Sequence, residues 1–359
     1  MSEDNQKGQY AKSGVDVDKN ERVVSSIKSI VESTHTTEMR NNPLCKLGDF
    51  SGIFPIPSFL NNKDYHLTAT MDGVGTKSEL VKMYLGDIGY INLGKDIVNH
   101  CINDTLAGGG KPLFFLDYYA SSNLKVDNVC NFIKGVSEAC KLGGVALLGG
   151  ETAEMPGIYQ DGKCDLVGCM IGYQLTKDAL FKIQNSIKPG DVVFGFPSNG
   201  PHTNGYSVIR KAIEISSIWN SWAESKKNEF LDICCRPHLS YLEIFNQLEN
   251  TNINIKSSIH ITGGGWIDNP PRILNDNVAI EFKWTEWINN YIPQFFKDIK
   301  EITNMGWEEM LRVFNCGIGL MVIVSENDFK EKQEDILKLG GHQIGYVVKK
   351  DTDTQTIFN

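Results

Sequence analysis

The chain has 359 residues, 41% hydrophobic and 22% charged, with 34 Gly and 12 Pro, a composition that excludes collagenous, disordered and low-complexity classes. At roughly 150 residues per domain, the length predicts two domains, each able to bury a core of its own. Thirty-five Lys and Arg against 44 Asp and Glu leave a net charge of −9, so no general basic field exists for nucleic acid or an acidic membrane. A phosphorylated ligand must then be met locally, by cations, backbone amides or metal.

The longest clean apolar run, Ile318 to Val324, falls far short of the roughly 20 residues that span a bilayer. Met1 to Asp18 is polar, without a signal-peptide core, so the expected compartment is the cytoplasm. The nine cysteines form no C-x-x-C, and reduced thiols are expected rather than a metal or disulfide framework.

In chain order, Gly14 to Asp18 reads as a short hook before a helix from about Glu21 to Ser33, and Asn41 to Asn62 as loops. Strands are predicted at Tyr65 to Met71, Pro112 to Tyr119, Val145 to Leu148 and Leu166 to Tyr173, with helices at Gly94 to Leu106 and Val126 to Leu142 between them. This alternation indicates an α/β or α+β domain. Leu175 to Pro189 is the predicted crossing point, followed by a strand at Val192 to Phe196, a helix at Gly205 to Ser216 and a polar stretch at Ser221 to Glu229. A helix near Ser240 to Leu248, a strand at Ile318 to Val324, a helix at Lys330 to Leu339 and a last strand at Gln343 to Val348 complete a second α/β layer.

Five constellations carry chemistry. Asp72-Gly73-Val74-Gly75-Thr76-Lys77 follows a strand. Its glycines let backbone amides approach a ligand, Asp72 can hold a cation and Lys77 can neutralise a phosphate; the alternative is a strand-to-turn junction with a surface Lys. Asp96 and Asn103 lie two helical turns apart with Asp104 adjacent, an oxygen-rich face suited to Mg²⁺ or, as plainly, a solvated helix face with a cap. Gly149-Gly150-Glu151 follows a buried run, where α/β proteins place ligands. Glu151 can serve as metal ligand or base, or sit with Glu154 in an ordinary loop.

The fourth constellation is Ser198 to Ser207, holding Gly200, His202, Asn204, Gly205 and Ser207 between a strand and a helix. Such a loop can cradle an anion, and His202 can carry a proton or merely hydrogen-bond. The last is His260-Ile261-Thr262-Gly263-Gly264-Gly265, with Arg272 beyond it as a phosphate fork or a partner of Asp268.

Taken together, DGVGTK (72–77), the Asn103-Asp104 pair, PLFFLDYYA (112–120), GGETAEMPG (149–157), GPHTNGYS (200–207), HITGGG (260–265) and FNCGIGL (314–320) resemble the phosphoribosylformylglycinamidine cyclo-ligase (AIR synthetase) family, in order along nearly the whole chain. Met71 and His100 depart from its usual pattern without removing a proposed ligand, and Lys12 is shifted relative to many relatives. The resemblance implies an N-terminal domain, 1–175, that binds ATP and Mg²⁺ and pairs in a homodimer, its mixed sheet contributing to an interface β-barrel. It also implies a C-terminal α/β substrate domain, 176–359. The implied reaction is ATP-dependent closure of formylglycinamidine ribonucleotide to 5-aminoimidazole ribonucleotide in purine biosynthesis.

On that basis Asp72, Asp96, Asp104 and Glu151 are expected to hold Mg²⁺. Asp72, Gly73, Gly75, Thr76, Lys77, Asn103, Gly149 and Gly150 are expected to face ATP. Gly200, His202, Asn204, Gly205, Ser207, Gly263, Gly264, Gly265 and Arg272 are expected to bind the ribonucleotide, with Lys77 and His202 as catalytic groups. The alternatives are another Mg-ATP kinase or synthetase of the same superfamily and a non-catalytic nucleotide-binding scaffold.

Overall fold

Two alternating patterns of apolar residues, one on each side of the predicted crossing point, give two sheets. The computed structural model describes residues 17–41, 54, 57, 65–175 and 186–359. The Gly14–Asp16 part of the hook, Lys12, most of the Asn41–Asn62 passage and most of the crossing segment lie outside the described residues. The chain divides into two units, the first taking in 67–101 and 112–173, and the second 102–111 and 174–359.

In the first unit, β1 (Tyr65–Gly73), β2 (Gly110–Ser121), β3 (Ala146–Glu154) and β4 (Cys164–Leu175) form a sheet of order β1-β4-β2-β3. β2 and β3 run parallel, Asp117 opposite Gly150 and Tyr118 opposite Glu151. The expected strand at Val145 to Leu148 therefore continues through Gly149, Gly150 and Glu151, which were expected in a loop.

The helix Val126–Leu142 follows its predicted limits and buries Val129, Phe132, Ile133, Val136 and Cys140. It meets the helix Gly89–Ala107 backbone to backbone. A Cβ on Gly135 would lie 2.0 Å from the Ile91 carbonyl oxygen, and one on Gly94 2.2 Å from that of Phe132. Only glycines allow such an approach.

The second unit is built on β5 (Val192–Pro197), β6 (Ile255–His260), β7 (Val278–Phe282), β8 (Ile318–Val324), β9 (His342–Lys349) and β10 (Thr356–Phe358), in the order β10-β7-β9-β5-β8-β6. β8 is buried at every position, as its unbroken apolar run requires of a central strand. It pairs antiparallel with β5 and β6.

Three expectations are corrected in this unit. β6 and β7 join the sheet without having been predicted. The polar stretch after Ser221 is in large part the helix Glu224–Cys235. The strand at Gln343 to Val348 is not the last, since β10 adds to β7 in parallel. β6 escaped notice because Lys256 interrupts its pattern; Lys256 is buried, with Nζ 2.8 Å from both carboxylate oxygens of Asp191. An interior ammonium is tolerable only with such a partner.

Candidate active site

β1 delivers its last residues, Asp72 and Gly73, to the start of the helix Lys77–Leu85. Gly75 and Thr76 are exposed at that helix's amino end, so backbone N–H groups and the positive end of the helix dipole meet solvent there. The Asp72 carboxylate takes a 2.6 Å hydrogen bond from the Gly73 amide and lies 2.9 Å from His100 Nε2.

Lys77 is not the surface cation that a phosphate site would use. It is fully buried, with Nζ 2.7 Å from Asp96 Oδ1, and Asp96 is equally buried. Desolvating one ammonium and one carboxylate is costly unless each neutralises the other. Lys77 thus fixes the start of its helix to the helix Gly89–Ala107 as the counter-ion of Asp96.

Glu151, at an exposed position of β3, has Tyr118 opposite it on β2 and Asp117 one residue earlier. Asp117 is buried, and its carboxylate occupies the space over Gly150: a Cβ at that glycine would meet Asp117 Oδ1 at 2.3 Å. Burial, reinforced by the charge of Glu151 and opposed by a hydrogen bond from its own backbone, pushes the Asp117 carboxyl up to about 7. A carboxyl perturbed in this way beside a second acid is a functional candidate. Sequence reading passed over Asp117 because it occupies an ordinary-looking strand position in PLFFLDYYA.

The remaining acid and its neighbour belong to the second unit. Asn103, fully buried, clamps the chain around Ser240: its amide nitrogen donates to the Leu239 carbonyl at 2.8 Å and its oxygen accepts from the Tyr241 amide at 2.9 Å. Asp104 Oδ1 lies 2.7 Å from Nδ1 of His260, the last residue of β6. Helical periodicity placed Asp96, Asn103 and Asp104 on one side, yet each is taken by a different distant partner.

The loop from Ser198 to Gly205 joins β5 to the helix Tyr206–Ile215. Asn315 ties it down, donating to the Gly200 carbonyl at 2.9 Å and accepting from Ser198 at 2.9 Å. His202 is buried and takes a left-handed backbone, φ 59°. Its ring stacks on His238 with centroids 4.0 Å apart, and His238 Nε2 lies 3.0 Å from His260 Nε2. His238, in no recognised motif, is a second group that the sequence did not reveal.

Asn204 and Gly205 are half-buried in this loop and Ser207 is exposed. Gly263 is exposed, Gly264 half-buried and Gly265 buried at the start of the short helix Gly265–Asp268, and Arg272 is exposed. Among the described residues, the only group within one unit whose ligating atoms lie close enough to share a metal ion is His202, His238 and His260, not the four predicted acids.

The family model described as AIR synthase related protein, N-terminal domain, matches residues 48–174, and that for the C-terminal domain matches 188–357. The chain is 38% identical over 330 residues to a phosphoribosylformylglycinamidine cyclo-ligase of Lawsonia intracellularis, covering 92% of this chain and 90% of that protein. It is 38% identical over 352 residues to one of Alkaliphilus oremlandii, covering 95% and 97%. Among solved structures, thiamine-monophosphate kinase from Stenotrophomonas maltophilia shares the fold, with a TM-score of 0.64 at 12% identity over 93% of this chain and 96% of that one. Matched on both halves, and similar nearly end to end to proteins bearing one enzyme's name, the chain belongs to the phosphoribosylformylglycinamidine cyclo-ligase family.

Proposed function

We propose that this protein closes the imidazole ring of 5-aminoimidazole ribonucleotide, using formylglycinamidine ribonucleotide and ATP and releasing ADP and phosphate, as a step of purine biosynthesis. The observation that carries this reading is similarity to cyclo-ligases over more than nine-tenths of the chain. In this reading the γ-phosphoryl group of ATP passes to the formyl oxygen. The amidine nitrogen then attacks the formyl carbon, the carbon–oxygen bond breaks, and phosphate leaves with that oxygen.

Both substrates are anions and the protein carries a net charge of −9, so local neutralisation decides binding. The amides of Gly75 and Thr76 at a helix start favour phosphate oxygens. Asp72, Glu151 and the neighbouring Asp117 offer the hard oxygen donors that Mg²⁺ requires, and the raised Asp117 carboxyl marks a place where added positive charge is favourable. The ion, when bound, supplies charge neutralisation of the ATP phosphates. Gly200, Asn204, Gly205, Ser207, Gly263 to Gly265 and Arg272 hold the ribonucleotide.

A cytoplasmic homodimer belongs to the same proposal. Leu67 and Met71, exposed at 67% and 70% on one face of β1, are the kind of apolar row that pairing covers. Phosphate release from ATP, measured with and without formylglycinamidine ribonucleotide and alongside formation of the aminoimidazole product, tests the activity. Release must depend on that substrate; hydrolysis that ignores it, or ATP binding without release, refutes the assignment.

A further inference from the structure

The second unit gathers three histidines from three separate elements: His202 from the loop after β5, His238 from the segment between the helices Glu224–Cys235 and Leu242–Asn250, and His260 from the end of β6. They are exposed by only 2%, 1% and 5%. Each presents one ring nitrogen, and all three ligand atoms lie within 4.8 Å of one another.

In two of the three histidines the ring nitrogen turned away from the cluster meets oxygen. His260 Nδ1 is 2.7 Å from the Asp104 carboxylate, and His238 Nδ1 is 3.4 Å from Thr203 Oγ1. A carboxylate accepts only, so His260 carries its proton on Nδ1 and aims a bare Nε2 lone pair at His238 Nε2, 3.0 Å away. Imidazoles that ligate a metal are oriented in this way, each backed through its second nitrogen by a carboxylate, carbonyl or other oxygen. Two nitrogens bound to one tetrahedral Zn²⁺ at about 2.0–2.1 Å stand roughly 3.3 Å apart, so the His238–His260 separation needs to open by only a few tenths of an ångström, while the His202 ring, stacked on His238 with centroids 4.0 Å apart, must turn to bring a nitrogen lone pair onto the ion.

We propose that His202, His238 and His260 form a binding site for a borderline divalent first-row metal ion, Zn²⁺ in particular, with Asp104 and Thr203 orienting the imidazoles of His260 and His238. An all-imidazole set suits such an ion and not Mg²⁺, which seeks oxygen. Three protein ligands leave a fourth position for water. The site is distinct from the proposed magnesium carboxylates in donor chemistry, and it stands whether or not the ring-closure reading holds.

The test uses tag-free, full-length protein stripped with a chelator and dialysed against buffered Zn²⁺, with bound metal counted by mass spectrometry. One equivalent per chain is expected. Replacement of zinc by Co²⁺ is expected to give the visible absorption of four-coordinate cobalt without a thiolate charge-transfer band, a measurement that depends on no variant. His238→Gln and His260→Gln should each abolish the stoichiometric equivalent, Asp104→Asn should weaken affinity by about 10–100-fold, and His66→Gln, at an exposed histidine of β1, should change nothing. No bound equivalent in the wild type overturns the proposal. So does a thiolate band, or an equivalent that survives in folded His238→Gln and His260→Gln proteins, because each places the metal elsewhere.

Discussion

Replacing Asp117 with Asn tests the electrostatics of the β2–β3 site directly. In the folded protein this carboxyl titrates at about 7, against 3.8 ordinarily, because burial disfavours its charge. Below both values the native and unfolded chains each hold the proton. Between them the unfolded chain has released it while the native chain retains it, so stability falls as pH rises and the full loss is present above 7. From pH 5 to pH 8, in chelator, the group should withdraw about 3 kcal/mol from the wild type, at 1.36 kcal/mol per pH unit over two units. Asp117→Asn should lack that decline. All six tryptophans lie between Trp219 and Trp307, outside the unit that holds Asp117, so the reporter should be hydrogen-exchange protection in peptides covering β2 and β3. Mg²⁺ should restore protection to the wild type at pH 8 more than to the variant. Parallel pH profiles for the two proteins would refute the reasoning.

Lys77→Met should cost about 3–5 kcal/mol by stranding the Asp96 carboxylate in the interior, and Lys77→Met combined with Asp96→Leu should regain most of it; urea unfolding followed by far-ultraviolet circular dichroism measures both. Gly135→Ala should destabilise by at least about 1–3 kcal/mol, since its methyl would enter the Ile91 carbonyl, whereas Ala at the open Gly149 position should not; the same unfolding curves decide. Asp104→Asn should lose ring-closing turnover while its circular dichroism stays that of the wild type. A wild-type kcat would leave Asp104 only its hold on His260.

The elements that sequence revealed best were those whose local pattern had no rival. The run Ile318–Val324 was recognised as a buried strand residue for residue, and Val126–Leu142 as an amphipathic helix. Legibility failed where a distant partner changed what a residue means. Gly149-Gly150 looks like a turn, yet it is strand because a missing side chain at 150 makes room for the Asp117 carboxylate opposite. Lys77 looks like a phosphate ligand until Asp96, 19 residues on, buries it. Asp104 looks like one of a row of acids, and its partner His260 lies 156 residues away. Helical spacing predicts which side chains share a face, but it carries no information about what the fold brings to that face.

The glycine crossing of Gly94 and Gly135 has a consequence for how change is tolerated around Asp96, two residues beyond Gly94. Where helices meet through interdigitated side chains, a core substitution shifts one against the other, and any functional group they carry shifts too. Here main chain rests on main chain, so the spacing is fixed by peptide geometry and not by rotamers. Side chains flanking the contact can drift in size over many generations while the buried carboxylate keeps its place, provided two hydrogens are never exchanged for methyl groups.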